Sequence, residues 1–108
     1  MLKKINANEL KNYKDKKIEY SGFVDTIRDK KWVQFVILRD ETGKVQLTLE
    51  KSEEKNTEMV KLFSTLPLES TVKVTCMVKE NDAVKLNGIE LIPESVIVTS
   101  TSYNELPF

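Results

Sequence analysis

The stretch Ile27–Gln46, IRDKKWVQFVILRDETGKVQ, gathers Arg28, Lys30, Lys31, Trp32, Phe35 and Gln46 into one short segment. Such side chains do not make or break bonds, but together they suit a single-stranded nucleic acid. An aromatic ring offers a base a stacking surface worth about 1 to 3 kcal/mol, a glutamine pairs with a base edge, and arginine or lysine holds phosphate. Bond-making chemistry has far less material. The chain has no histidine and one cysteine, which removes intrachain disulfides, the usual zinc sites and every histidine-based acid–base or nucleophilic scheme. Cys76 lies inside TVKVTCMV, where a free thiol reads as a small buried apolar group rather than a reactive one. No catalytic or metal-ligating residue is nominated.

The segment carrying Phe35 alternates as a β-strand yet is apolar on both sides. Val36 and Leu38 point one way, and Val33, Phe35 and Ile37 the other. Downstream, Val45, Leu47 and Leu49 alternate with Gln46, Thr48 and Glu50. With Val36, Leu38, Val45, Leu47 and Leu49 in a core, the opposite face carries Val33, Phe35, Ile37, Arg39, Gln46 and Thr48. Arg28, Lys30 and Lys31 border it. Periodicity alone leaves two readings of this face. It is either a binding surface, or a place where Phe35 packs under an N-terminal helix or a neighbouring domain and Gln46 is an ordinary surface residue. Trp32, at a strand start, is placed equally well to cap a barrel or to touch a ligand.

The elements that must position these residues can be read in turn. Asn6 and Glu9 have capping-box spacing and Ile5 and Leu10 that of a hydrophobic staple, predicting a short helix over Ala7–Tyr13. Strands are predicted over Lys17–Arg28, where Gly22 admits a bulge or bend, over Trp32–Asp40, and over Val45–Glu50. Met59, Leu62, Phe63 and Leu66 form one stripe of an amphipathic helix that Pro67 closes. A fourth strand follows, burying Val72, Val74, Cys76 and Val78. A fifth runs from Ile89 to Ser100, broken at Pro93. An all-β chain with one or two short helices in the order β-β-β-α-β-β has the layout of the five-stranded OB-fold barrel, which binds oligonucleotides over strands two and three. A five-stranded immunoglobulin-like or SH3-like barrel is the competitor. Residues 1–103 are read as one domain and 104–108 as the start of a linker.

Composition agrees with one soluble unit: 108 residues, 40% hydrophobic and 31% charged. No apolar run approaches the roughly 20 residues that span a bilayer, and the start MLKKINANEL lacks the apolar segment of a secretory signal. A cytoplasmic protein without membrane contact is expected. Seventeen basic and seventeen acidic residues cancel, so no global field draws the chain to nucleic acid. Any such contact must be local, and lysines do crowd the first third of the chain.

SGFVDTIRDKKWVQFVILRDETGKVQLTL resembles the N-terminal anticodon-binding domain of class IIb aminoacyl-tRNA synthetases, above all the aspartyl and asparaginyl enzymes. The resemblance rests on Gly22-Phe23-Val24, Arg28, Phe35, Leu38-Arg39-Asp40, Gly43 and Val45-Gln46, and on GIELIPESVIVTSTSYNELPF as the last strand with its exit through a Leu-Pro. It implies that Phe35 stacks on the central uridine of the anticodon, that Gln46 bonds the edge of that base, that Arg28 contacts the anticodon, and that Glu90 helps read a guanine-like first base. Arg39 and Asp40 are expected to brace the following turn and to take no part in RNA binding. Two departures are visible: Phe23 stands where the family usually has Trp, and RDKKW lacks the family's loop glycine. The roles of Lys30, Lys31 and Trp32 stay open, and Thr48 is a further candidate on the same face.

The resemblance implies tRNA as partner and no cofactor for this domain. It implies ATP and magnesium for a full-length synthetase, usually a homodimer. The catalytic domain of that family has no counterpart in these residues, so the chain by itself is not expected to aminoacylate. Two other functions remain: a free-standing OB-fold module for single-stranded nucleic acid, and a protein-interaction domain using the Phe35 face.

Overall fold

A computed structural model describes residues 5–85 and 88–100. Five strands follow the alternation of the sequence: β1 (Lys17–Asp29), β2 (Val33–Asp40), β3 (Gly43–Glu50), β4 (Thr71–Glu80) and β5 (Ile89–Ser100). They close in the order β1-β2-β3-β5-β4, with β4 returning to β1. All pairings are antiparallel except that of β3 with β5, which runs parallel through Leu47 and Leu91. This closure is that of the OB-fold and not of an immunoglobulin-like or SH3-like barrel. Val36, Leu38, Val45, Leu47, Leu49, Val72, Val74, Cys76, Val78 and Leu91 fill the interior.

Helix α1 (Thr57–Thr65) lies between β3 and β4 and inserts Met59 and Phe63 into the core, followed by Leu66 just past its end. The same alternation that buries Val36 also buries Gln34, whose amide donates to the carbonyl of Val60 and to Ser64 Oγ at 3.2 Å each. This polar side chain ties β2 to the helix. The N-terminal segment Ala7–Tyr13 is a 3-10 helix, started by the Asn6 amide donating to Glu9 Oε1 at 3.0 Å. Leu10 is buried, with Ile5 packed against the core beside it, as the staple spacing predicted.

Three expectations are corrected. The β1 bulge falls at Asp25, between Val24 and Thr26, and not at Gly22. Gly22 serves close approach instead: a Cβ there would lie 2.9 Å from the Arg39 carbonyl oxygen and 2.9 Å from Tyr20 Cε2. β5 is not broken at Pro93 but runs through it, with the register shift taken up around Glu94. The ladder pairing of β5 with β3 is at Leu91, so at Pro93 the strand pairs with β4 alone and the missing proline N–H costs little. β3 begins at Gly43 rather than Val45, because Lys44 and Gly43 still pair with Arg39 and Asp40.

The tight β2–β3 turn is organised by Asp40. Its Oδ1 accepts from the Thr42 amide at 2.8 Å, the Thr42 hydroxyl at 2.6 Å and the Gly43 amide at 3.2 Å. Its Oδ2 accepts from the Ala7 amide at 2.8 Å and the Tyr20 hydroxyl at 3.1 Å. Burial alone would raise the Asp40 pKa, but the bonds from Thr42, Ala7 and Tyr20 outweigh it and hold the carboxyl below its usual range. Burial first, then the charge and bond of Asp40, push the Tyr20 phenol well above its ordinary value.

Asp40→Ala strands buried donors on Tyr20 and Ala7 and is expected to cost about 2 to 4 kcal/mol in urea unfolding near neutral pH. The folded pKa of Asp40 lies below its unfolded value. Its contribution is therefore full above about pH 4 and is lost as pH falls through the folded value. Over that acid range wild-type stability should fall more steeply than that of Asp40→Asn, measured by the same urea titrations.

Candidate nucleic-acid interface

Register and one side-chain bond place four of the nominated residues, Arg28, Phe35, Thr48 and Glu90, in one line across the barrel. Arg28 on β1 pairs with Phe35 on β2, and Phe35 pairs with Thr48 on β3. The Thr48 hydroxyl donates to Glu90 Oε1 on β5 at 2.7 Å. In the adjacent row Thr26 pairs with Ile37, and Ile37 with Gln46, whose Nε2 donates to Thr48 Oγ1 at 3.3 Å. Four strands thus bring Arg28, Phe35, Gln46, Thr48 and Glu90 together.

These residues, Thr48 excepted, line an open cleft of about 680 Å³. Phe35 is half-buried beside Ile37 in its lining and does not pack under the N-terminal helix, which lies against β3 and β4. Arg28, Lys30, Lys44 and Lys85 supply positive charge around the cleft, and Asp25 and Glu90 supply the acids. A neutral chain therefore carries a locally cationic rim around an aromatic and amide floor.

Sequence reasoning missed the wall made by the β4–β5 loop, where Asn81, Ala83, Val84 and Lys85 face the cleft. The Asn81 side chain accepts from the Ala83 amide at 3.0 Å, its backbone amide bonds the Gly88 carbonyl at 2.9 Å, and Val84 is buried. The available signal was the Asn81-Asp82 turn itself, since in this fold the loops after strands one and four flank the ligand.

The β1–β2 loop is tied down by Lys51, whose ammonium lies 2.6 Å from Asp29 Oδ1 and also bonds the Lys30 carbonyl. The Lys51 amide bonds the Trp32 carbonyl at 3.0 Å. Of the three loop residues only Lys30 lines the cleft. Trp32 is 71% exposed and does not cap the barrel. The Lys31 ammonium sits 5.1 Å from its ring centroid, so the two residues form a separate outward stack.

Asp40 braces the β2–β3 turn as expected, but Arg39 does not. Its Nε lies 3.7 Å from Asp25 Oδ1, its guanidinium bonds the Glu69 carboxylate, and its charge lies 5.2 Å from the centroid of the Phe23 ring. Arg39 thus ties the β1 bulge to the loop after α1 and does not itself line the cleft. The Asp25 carboxyl is held below its usual range chiefly by the Thr26 hydroxyl at 2.9 Å, with Lys44 and Arg39 assisting against desolvation. Asp25 and Thr26, at the bulge, both line the cleft.

A closed five-stranded barrel that gathers an aromatic, an amide and cations on its β2–β3 face, between two flanking loops, is a binding fold for single-stranded nucleic acid. Residues 18–99 match the tRNA anticodon family model, described as an OB-fold nucleic acid binding domain. The chain belongs to this family of anticodon-binding OB-fold domains. It is 36% identical over 90 residues to an aspartate-tRNA(Asp/Asn) ligase of Haloquadratum walsbyi, a match covering 83% of this chain and 20% of that protein. It is 34% identical over 107 residues to an aspartate-tRNA(Asp) ligase of Thermoplasma volcanium, covering 98% and 22% respectively. The crystal structure of asparaginyl-tRNA synthetase from Pyrococcus horikoshii superposes with a TM-score of 0.77 at 28% identity, over 94% of this chain and 23% of that one. The chain spans about a fifth of the length of the curated relatives it matches. No helix among the described residues is long and apolar enough to cross a membrane.

Cys76 is fully buried, and burial, with the charge of Glu94 added, pushes its thiol up to about 12. It is expected to resist a disulfide thiol reagent in the native protein at mildly alkaline pH and to react promptly in guanidinium chloride, followed by absorbance of the released thiolate.

Proposed function

We propose that the β2–β3 face reads the anticodon loop of an aspartate- or asparagine-type tRNA. Phe35 stacks on the central uridine, Gln46 bonds the edge of that base, Arg28 holds the loop beside it, and Glu90 pairs with a guanine-like first base. Lys30, Lys44 and Lys85 lie where phosphates of a bound loop would pass. The observation that carries this reading is the cross-strand row from Arg28 through Phe35 and Thr48 to Glu90, with Gln46 bonded into it. A stacking surface and base-edge groups there share one cleft, so a splayed base meets both at once. The reading extends to a larger cytoplasmic protein: an ATP- and magnesium-dependent ligase, homodimeric, whose aminoacylation chemistry lies outside these residues.

Short anticodon stem–loops should bind this chain at about micromolar affinity or weaker, since one stacking site must offset the ordering of a loop. Loops with a central uridine should bind best. Phe35→Ala should weaken them about tenfold or more while leaving the unfolding midpoint nearly unchanged, because the ring lies on the outer face. Fluorescence anisotropy and thermal melts measure the two effects. Equal affinity for unrelated loops with a steep salt dependence would leave non-selective single-strand binding. RNA that moves no β2 or β3 amide resonance would leave a protein-interaction surface.

A further inference from the structure

The Thr48 hydroxyl is the hinge of a three-residue chain, and the direction of its bonds is set by chemistry. A glutamate carboxylate at neutral pH only accepts hydrogen bonds. The one hydroxyl hydrogen of Thr48 is therefore spent on Glu90 Oε1, at 2.7 Å. The Thr48 oxygen then has only lone pairs to offer Gln46, so the amide must turn its NH₂ toward it, as the 3.3 Å contact records. Among the described residues this is the only bond the Gln46 side chain makes, which leaves its carbonyl and its second N–H for the cleft.

We infer that Thr48 is a positioning residue that fixes the polarity of Gln46 and so makes the cleft select uracil over cytosine. The inference rests on the anticodon reading above. Uracil presents an N3–H donor beside carbonyl acceptors, which matches an exposed amide carbonyl with an N–H next to it. Cytosine presents a bare N3 and an amino donor at the same positions, so the Gln46 carbonyl would face a lone pair. The two bases have one size and one stacking surface, so the choice between them falls to this polarity alone. An amide free to rotate by half a turn would accept either base. Glu90 Oε2 is left for the neighbouring base, so one carboxylate serves both positions.

The test titrates this chain with two stem–loops that differ only in central uridine or cytidine, with the first base held constant. Wild type should favour uridine by about tenfold or more, the usual range for a paired base-edge contact. Thr48→Val keeps the shape and removes the hydroxyl, and it should shrink that ratio toward one. Thr48→Ser restores the hydroxyl and should restore the ratio, an outcome that packing alone does not produce. Glu90→Gln is the second variant. Its amide can donate to Thr48, which frees the hydroxyl to point at the Gln46 carbonyl, so the ratio should fall here too. The Gln46 side-chain NH₂ resonances should move in both variants. A uridine preference that persists in Thr48→Val and Glu90→Gln overturns the positioning role and leaves the anticodon reading standing. A wild type that does not distinguish the two loops overturns both.

Discussion

Five donors converge on the Asp40 carboxylate, and the geometry of the binding face depends on them. Three close the β2–β3 turn, one starts the N-terminal helix, and one is the phenol of Tyr20 on β1. Side chains alternate along a strand, so a slip of one residue between β2 and β3 would send Phe35 into the core and Val36 into the cleft. The turn at Asp40 pins that register. Gly22 meets the same constraint from the other side, since only a residue without Cβ lets β1 pass the Arg39 carbonyl and the Tyr20 ring.

The charged groups divide by location. Arg39 is neutralised by Asp25 and Glu69 on one side of the barrel, and Lys51 by Asp29 beneath the β1–β2 loop. What remains at the cleft is a small cationic rim around a polar relay whose one acid, Glu90, is bonded to Thr48. With zero net charge the chain has little long-range attraction for phosphate.

Much of the fold was legible from local pattern. The strands, the buried stripe of α1 and the outward direction of Phe35 and Gln46 follow from periods of 2.0 and 3.6 residues, which are properties of the backbone. The bulge at Asp25 and the continuity of β5 through Pro93 were not legible. Each depends on how many partners a strand has at that point, which alternation does not encode. Gln34, an amide on the core side of β2, is accommodated there by the bonds that Val60 and Ser64 of the helix accept from it.

The sequence by itself determined which residue types could recognise a base and which face they share, because face membership needs only the alternation of a strand. Only the tertiary structure decided that Arg28, Phe35, Thr48 and Glu90 stand in one line, that the β4–β5 loop walls the cleft, and that Trp32 points away from it. Those relations join positions up to 62 residues apart in the chain, from Arg28 to Glu90. They arise from register and barrel closure, where hydrogen bonds between strands set the neighbours that no local pattern can assign.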